Sequence, residues 1–81
     1  MNHEKLRACF SQALGISLEQ VTDTLAYNSI EEWDSVGHMT LVAALESAFG
    51  VMLDTEDILD LSSVAKAAEI LGRYGVAFDA A

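Results

Sequence analysis

Apolar residues recur three and four positions apart in three separate segments of the chain, which is the spacing of amphipathic helices. The first segment covers about residues 2 to 14, the second about residues 35 to 49, and the third begins near residue 62 or 63. A shorter helical segment is expected at about residues 54 to 59. No segment alternates with a period of two for long enough to predict a strand. The pattern therefore predicts an all-α fold, a small bundle of three main helices plus one short helix.

The apolar stripes also predict which side of each helix faces the core. The inward residues are Leu6, Cys9, Phe10, Ala13 and Leu14 in the first segment, Met39, Val42, Leu45 and Phe49 in the second, and Val64, Ala67, Ala68 and Leu71 in the third. Glycine commonly follows the last residue of a helix. We expect the helices to end at Gly15, at Gly50 and at either Gly72 or Gly75, followed by a loose tail over about residues 73 to 81.

A long connection joins the first two helices and shows no sustained period. Its apolar residues are Ile16, Leu18, Val21, Leu25, Ile30 and Trp33. Connections of this length are uncommon in compact domains, so we expect it to pack on the core through these residues or to carry function. Ser17 and Gln20 have the spacing of a capping box, which predicts one short helical turn inside it.

Composition and charge narrow the class of protein. A chain of 81 residues with 52% hydrophobic content is expected to form one domain, residues 1 to 81, around a single modest core. Its net charge of −9 argues against nucleic acids and anionic membranes as partners and favours a basic protein partner.

The single cysteine, Cys9, cannot form an intramolecular disulfide, and its side chain is expected to be buried in the core. Without a leader or an apolar run of roughly 20 residues, a cytoplasmic monomer without membrane insertion is expected.

The pair Asp34 and Ser35 at the start of the second helix has three interpretations. Either residue could cap the helix, but capping accounts for only one of the two. The second interpretation is that Ser35 is the nucleophile of a hydrolase, which would require His38 to act as the base that activates it. It is disfavoured because His38 shares the apolar stripe, no G-x-S-x-G turn is present, and the chain is too small to enclose a substrate. The third interpretation is that Ser35 is an exposed attachment point for a modifying group.

The run EEWDSVGHMTLVAALESAFGVML resembles the second-helix region of acyl carrier proteins, whose hallmark is Asp-Ser followed by Leu, Ile, Val or Met. The order and sizes of the predicted elements are similar to that family over most of the chain. The resemblance implies that Ser35 carries 4'-phosphopantetheine derived from coenzyme A, and that Asp34 beside it orients transferase or metal contacts. It also implies a non-catalytic carrier that holds acyl groups as thioesters on that arm.

The implied partners are a phosphopantetheinyl transferase and enzymes that activate, condense or transfer acyl groups. Two alternatives stay open: an aminoacyl or peptidyl carrier, and a helical interaction module that keeps the shape but is not modified. The candidate partner-binding residues are Val36, Thr40, Ala43, Glu46, Ser47 and Asp57. The candidate acyl pocket consists of Met39, Val42, Leu45, Ile58 and Leu61, which could equally be ordinary core.

The second helix departs from the carriers of bacterial fatty acid synthesis, which expose several acids there. Projected at 100° per residue, its outward face holds Val36, Gly37, Thr40, Ala43, Ala44 and Ser47, with Glu46 to one side. The acids lie instead before and after the helix. This face favours a specialised pathway, such as polyketide, modified-lipid or aminoacyl synthesis, over housekeeping fatty acid synthesis.

The acidic run DTEDILDLSS does not match the pattern of a calcium-binding loop. Ile58 stands at a ligand position, Leu59 stands where the turn needs glycine, and Ala65 replaces the terminal glutamate. No metal site is predicted.

Overall fold

The computed structural model describes residues 2–76 and 78. These residues form four α-helices. They are α1 (Asn2–Leu14), α2 (Ser35–Phe49), α3 (Thr55–Asp60) and α4 (Val64–Arg73), with a 3₁₀ turn at Leu18–Gln20. Among the described residues there is no strand, and an isolated bridge pairs Ala26 with Ser63. The predicted all-α bundle of three main helices and one short helix is confirmed. None of the helices in the described part of the chain is long and apolar enough to cross a membrane.

Side chains immediately before α2, α3 and α4 satisfy the free backbone N–H groups of the first turn. The Asp34 carboxylate accepts from the Gly37 N–H, the Asp54 carboxylate accepts from Asp57, and the Ser63 hydroxyl accepts from Lys66. At the other end of α2, Gly50 adopts a left-handed conformation with φ of 64°. These local signals explain why the predicted bounds of α2 match the structure.

The core is centred on Trp33 and Phe10, which are fully buried and meet edge to face with ring centroids 5.3 Å apart. The predicted inward residues that are buried are Leu6, Cys9, Phe10, Leu14, Val42, Leu45, Val64, Ala67 and Leu71. The prediction was wrong for Met39, which is 56% exposed, while Leu41 is buried on the same helix. At 100° per residue, Met39 lies about 120° around the helix axis from Leu45, so it falls outside the buried stripe.

The long connection packs on the core as expected. Ile16, Val21, Leu25 and Trp33 are buried, whereas Leu18 is half exposed and does not act as an anchor. The predicted turn at Ser17 is confirmed, with the Gln20 side chain accepting from the Ser17 backbone N–H at 3.1 Å.

Backbone hydrogen bonds tie this connection to the start of α4. The Tyr27 N–H donates to the Ser62 carbonyl at 2.8 Å, and the Val64 N–H donates to the Leu25 carbonyl at 3.0 Å. The segment before Ser35 is therefore fixed on both sides, by buried apolar residues and by pairing with the backbone near α4.

Polar contacts hold the short helix α3 against α4. None of the six residues of α3, all of them described, is fully buried. Instead the Tyr74 hydroxyl donates to the Asp57 carboxylate, Arg73 lies 3.6 Å from the same carboxylate, and Lys66 lies 3.3 Å from Asp60. The position of α3 thus depends on hydrogen bonds and ion pairs as well as on the packing of Ile58 against the core.

Part of the segment expected to be a loose tail is ordered in the structure. Arg73 belongs to α4, and Val76 packs against the core. The ring of Phe78 lies against Phe49, with centroids 6.1 Å apart, and against His3 at 5.2 Å. Residues 77 and 79–81, which the same expectation covered, lie outside the described residues.

We predict that Tyr74→Phe destabilises the protein at neutral pH and not at strongly alkaline pH. The hydrogen bond to Asp57 is the main cause that raises the pKa of Tyr74 above its ordinary value of about 10. Because the folded pKa exceeds the unfolded one, this stabilisation is complete below pH of about 10 and is lost as the pH rises through the raised pKa. Thermal unfolding followed by circular dichroism should show Tyr74→Phe melting several degrees below wild type at pH 7.

The gap between the two melting temperatures should narrow as the pH is raised beyond that range. Tyr27→Phe is the matched control, since Tyr27 is the other tyrosine of the chain, lies in the connection before α2, and makes no hydrogen bond through its hydroxyl with the described residues. Equal melting temperatures of Tyr74→Phe and wild type at pH 7 would contradict the prediction.

Candidate functional site

The first turn of α2 presents an exposed serine. Asp34 has extended backbone, and its Oδ1 accepts from the Gly37 N–H at 2.9 Å, so Asp34 is the residue that caps the helix. Ser35 is the first helical residue and is exposed, and its hydroxyl has no hydrogen-bond partner among the described residues. Capping by Asp34 therefore leaves the Ser35 hydroxyl available, at a helix end whose dipole favours negative charge.

Trp33 anchors the chain directly before this pair, as predicted. Its side chain is fully buried, and its indole Nε1–H donates to His38 Nδ1 at 3.0 Å. Its backbone carbonyl accepts from the Asn28 N–H at 2.9 Å. Ser35 therefore lies two residues after a side chain that is fully buried and hydrogen-bonded.

Gly37 faces the connection and not the solvent, so its predicted place on the outward face of α2 was wrong. A Cβ atom at this position would lie 2.2 Å from the Glu32 carbonyl oxygen and 3.2 Å from a methyl carbon of Leu14. The chain before α2 passes across its first turn, and only glycine leaves room for it. The signal in the sequence was the glycine itself, since glycine inside a helix costs about 1 kcal/mol and so implies a packing reason.

Both ring nitrogens of His38 are engaged. An indole N–H can only donate, so Nδ1 is the acceptor from Trp33, and Nε2 carries the hydrogen donated to the Ile58 carbonyl at 2.8 Å. His38 is half-buried, which confirms its predicted place at the edge of the core. With both nitrogens occupied, it is not placed to serve Ser35 as a base, which agrees with the rejection of the hydrolase interpretation.

A groove of about 370 Å³ separates α2 from α3 beside Ser35. Its lining is mostly apolar and consists of Tyr27, Ser35, His38, Met39, Ile58, Leu59, Leu61 and Ser62. Of the predicted pocket residues, Met39, Ile58 and Leu61 line this groove, whereas Val42 and Leu45 lie in the core. The groove also contains Tyr27, His38, Leu59 and Ser62, which periodicity alone does not predict, because their positions depend on how α3 and the connection fold against α2.

Two of the acids proposed for partner binding make contacts within the molecule. The Glu46 carboxylate accepts from the Leu53 N–H at 2.9 Å. The Asp57 side chain is only 13% exposed and is held by Arg73 and Tyr74. The other four predicted surface residues, Val36, Thr40, Ala43 and Ser47, are exposed on α2.

Three exposed acids lie close in sequence to the elements that form the groove. Glu31 and Glu32 precede α2, Glu56 lies on α3, and none of them forms an ion pair with the described residues.

Cys9 lies away from the groove, buried in α1, where burial raises the pKa of its thiol and so disfavours the reactive thiolate. The described residues contain no cluster of three or more His, Cys, Asp or Glu side chains placed to hold a metal ion.

A helical bundle with a capped, exposed serine beside an apolar groove defines the class of small carrier domains. The family model described as "Phosphopantetheine attachment site" matches residues 4–71 of the chain. The chain therefore belongs to this family, which is that of the acyl carrier proteins, and the prosthetic group of the family is 4'-phosphopantetheine. Members of the family are carriers and not catalysts. A search of curated proteins finds no match to the chain.

We predict that Gly37→Ala destabilises the protein by about 1–3 kcal/mol, because the new Cβ must displace the backbone carbonyl of Glu32. Gly72→Ala is the matched control, since Gly72 lies in α4 with no atom near its Cβ position. There the same change should stabilise the protein by about 0.5–1 kcal/mol. Urea unfolding measures both effects, and equal effects of the two substitutions would refute the close approach at Gly37.

Proposed function

We propose that Ser35 is the attachment site of 4'-phosphopantetheine and that the protein carries acyl groups between enzymes. The observation that carries this proposal is the exposed, unpartnered hydroxyl of Ser35 at the first turn of α2, beside the apolar groove. Ser35 and its surroundings fit 4'-phosphopantetheine. The Ser35 hydroxyl is accessible to a second protein, and the N-terminal end of α2 favours the phosphodiester that the modification creates.

Ser35 is a substrate in this modification. Its Oγ attacks the β-phosphorus of coenzyme A bound to a transferase, the bond to the 3',5'-ADP leaving group breaks, and the hydroxyl proton passes to a base of the transferase. Asp34 keeps Oδ1 on the Gly37 N–H, which holds Ser35 at the start of the helix. Its other oxygen has no partner among the described residues and is the group we assign to transferase or metal contacts.

The bound arm supplies a terminal thiol that holds cargo as a thioester. The side chains of Met39, Leu59 and Leu61 give the adjacent groove apolar walls, which favour an acyl group over a charged aminoacyl group. Shelter in such a groove keeps an apolar chain out of water while the carrier moves between enzymes.

Partner enzymes are proposed to dock on the small apolar face of α2 and the exposed end of α3. Val36, next to Ser35, is 74% exposed, and Leu59, which lines the groove, is 80% exposed. The acids Glu31, Glu32 and Glu56, before α2 and on α3, suit basic residues on the partner. Glu46 and Asp57 are less available to a partner, because Glu46 accepts from the Leu53 N–H and Asp57 is paired with Arg73. We infer a cytoplasmic, monomeric carrier of a specialised pathway, served by its transferase and by acyl-activating, condensing or acyltransferase enzymes.

Incubation with coenzyme A, Mg²⁺ and a broad-specificity phosphopantetheinyl transferase should add one phosphopantetheine to the wild-type protein. Ser35→Ala should gain nothing, because the accepting hydroxyl is gone. Ser17→Ala, a matched change at an exposed serine outside α2, should be modified at the wild-type rate. Intact mass spectrometry measures the outcome. Modification of Ser35→Ala, or none of the wild type with several transferases, would disprove the proposal.

Val36→Asp should lower kcat/KM for this transferase about tenfold at every salt concentration, because it removes a central apolar contact. Glu31→Lys should lower kcat/KM mainly at low salt, because a flanking charge acts by steering the encounter. Glu19→Lys is the matched control. It changes the net charge of the protein by the same amount as Glu31→Lys, but Glu19 lies in the 3₁₀ turn and not before α2. Equal effects of the Glu31 and Glu19 substitutions, or wild-type kinetics of Val36→Asp, would remove this face from the docking surface.

A further inference from the structure

His38 lies between the groove and the core. It is one of the residues that line the groove, and its ring is nearly parallel to that of Trp33, with an interplanar angle of 16° and centroids 6.2 Å apart. Trp33 is fully buried behind it. Tyr27 meets the edge of the same imidazole with centroids 5.3 Å apart, so aromatic rings hold His38 from two directions.

The hydrogen bond from His38 Nε2 to the Ile58 carbonyl joins α2 to α3 across the groove. Moving the two helices apart at this point would leave the carbonyl and the imidazole N–H without these partners, and unpaired buried polar groups are costly. His38 cannot turn away to avoid that cost, because its other nitrogen accepts from the buried indole of Trp33.

The opposite side of α3 has its own ties. Asp57 is held by Tyr74 and Arg73, and Asp60 by Lys66. Since no residue of α3 is fully buried, these polar contacts and the bond to His38 act together with the packing of Ile58 against the core to set its distance from α2. The bond to His38 is the one that lies at the groove itself.

We propose that His38 sets the depth of the groove and thereby limits the cargo to short apolar acyl groups. Such groups lie among Met39, Leu59 and Leu61, and longer chains are kept out of the core around Val42 and Leu45. This inference rests on the proposed function of the groove as the cargo site, and it assigns His38 as a residue that determines cargo length.

Two substitutions distinguish the effect of the His38 hydrogen bonds on the groove from the effect of the size of its ring. His38→Phe keeps an aromatic ring and removes both hydrogen bonds. His38→Gln keeps an amide that can donate toward Ile58 and accept from Trp33. Gln12→Ala, at an exposed position of α1 outside the groove, is the matched control.

The cargo series is butanoyl, hexanoyl, octanoyl and dodecanoyl, each loaded from its coenzyme A thioester by the transferase, with backbone amide NMR shifts as the readout. In the wild type and in His38→Gln, shifts at Met39 and Leu59 should stop growing as the chain lengthens, and Val42 and Leu45 should not move. In His38→Phe, dodecanoyl should shift Val42 and Leu45. Equal shifts of these core amides in wild type and His38→Phe would overturn the proposal, as would a His38→Gln variant that behaves like His38→Phe.

A second measurement does not depend on modification of Ser35. Ser35→Ala, with and without His38→Phe, is titrated with S-octanoyl- and S-dodecanoyl-N-acetylcysteamine, and the same amides are followed. Core shifts caused by the dodecanoyl thioester only in the double variant support the depth limit, even if Ser35 proves not to be the attachment site. Core shifts in both proteins, or in neither, would overturn it.

Discussion

The hydrogen bond between the Trp33 indole and His38 Nδ1 is the interaction on which the arrangement of the site depends. Trp33 fills the centre of the core, where its N–H has no access to water and would be costly to leave unpaired. His38 satisfies that donor, and its second nitrogen then bonds the Ile58 carbonyl. One continuous polar path therefore links the long connection, α2 and α3 through an otherwise apolar interior.

The same path explains how a short exposed segment can present one hydroxyl in a fixed position. Ser35 itself makes no side-chain hydrogen bond with the described residues, but its neighbours are held: Trp33 by burial, Asp34 by its bond to the Gly37 N–H, and Gly37 by the chain that crosses it. The hydroxyl is therefore exposed on a segment whose neighbouring residues are held in place, which is what the proposed modification of Ser35 requires.

The helix α3 combines weak burial with several polar ties, and this balance decides the form of the groove. Acids that the sequence places near a docking surface serve partly inside the fold, since Asp57 and Asp60 hold α4 and Glu46 holds the chain after α2. These internal contacts leave Val36 and Leu59 as the large apolar side chains exposed on α2 and α3 beside Met39.

The four helices, the bounds of α2, the buried Trp33 and the position of the Asp34 and Ser35 pair could all be predicted from the sequence, because periodicity and capping are local. The same patterns misplaced Gly37 and Met39 and did not reveal the partners of His38, Glu46 or Asp57. Those partners depend on contacts between residues far apart in the chain, such as His38 and Ile58, which are 20 positions apart. They follow from the fold, because the packing of the connection and α3 against α2 selects which side of each helix is free.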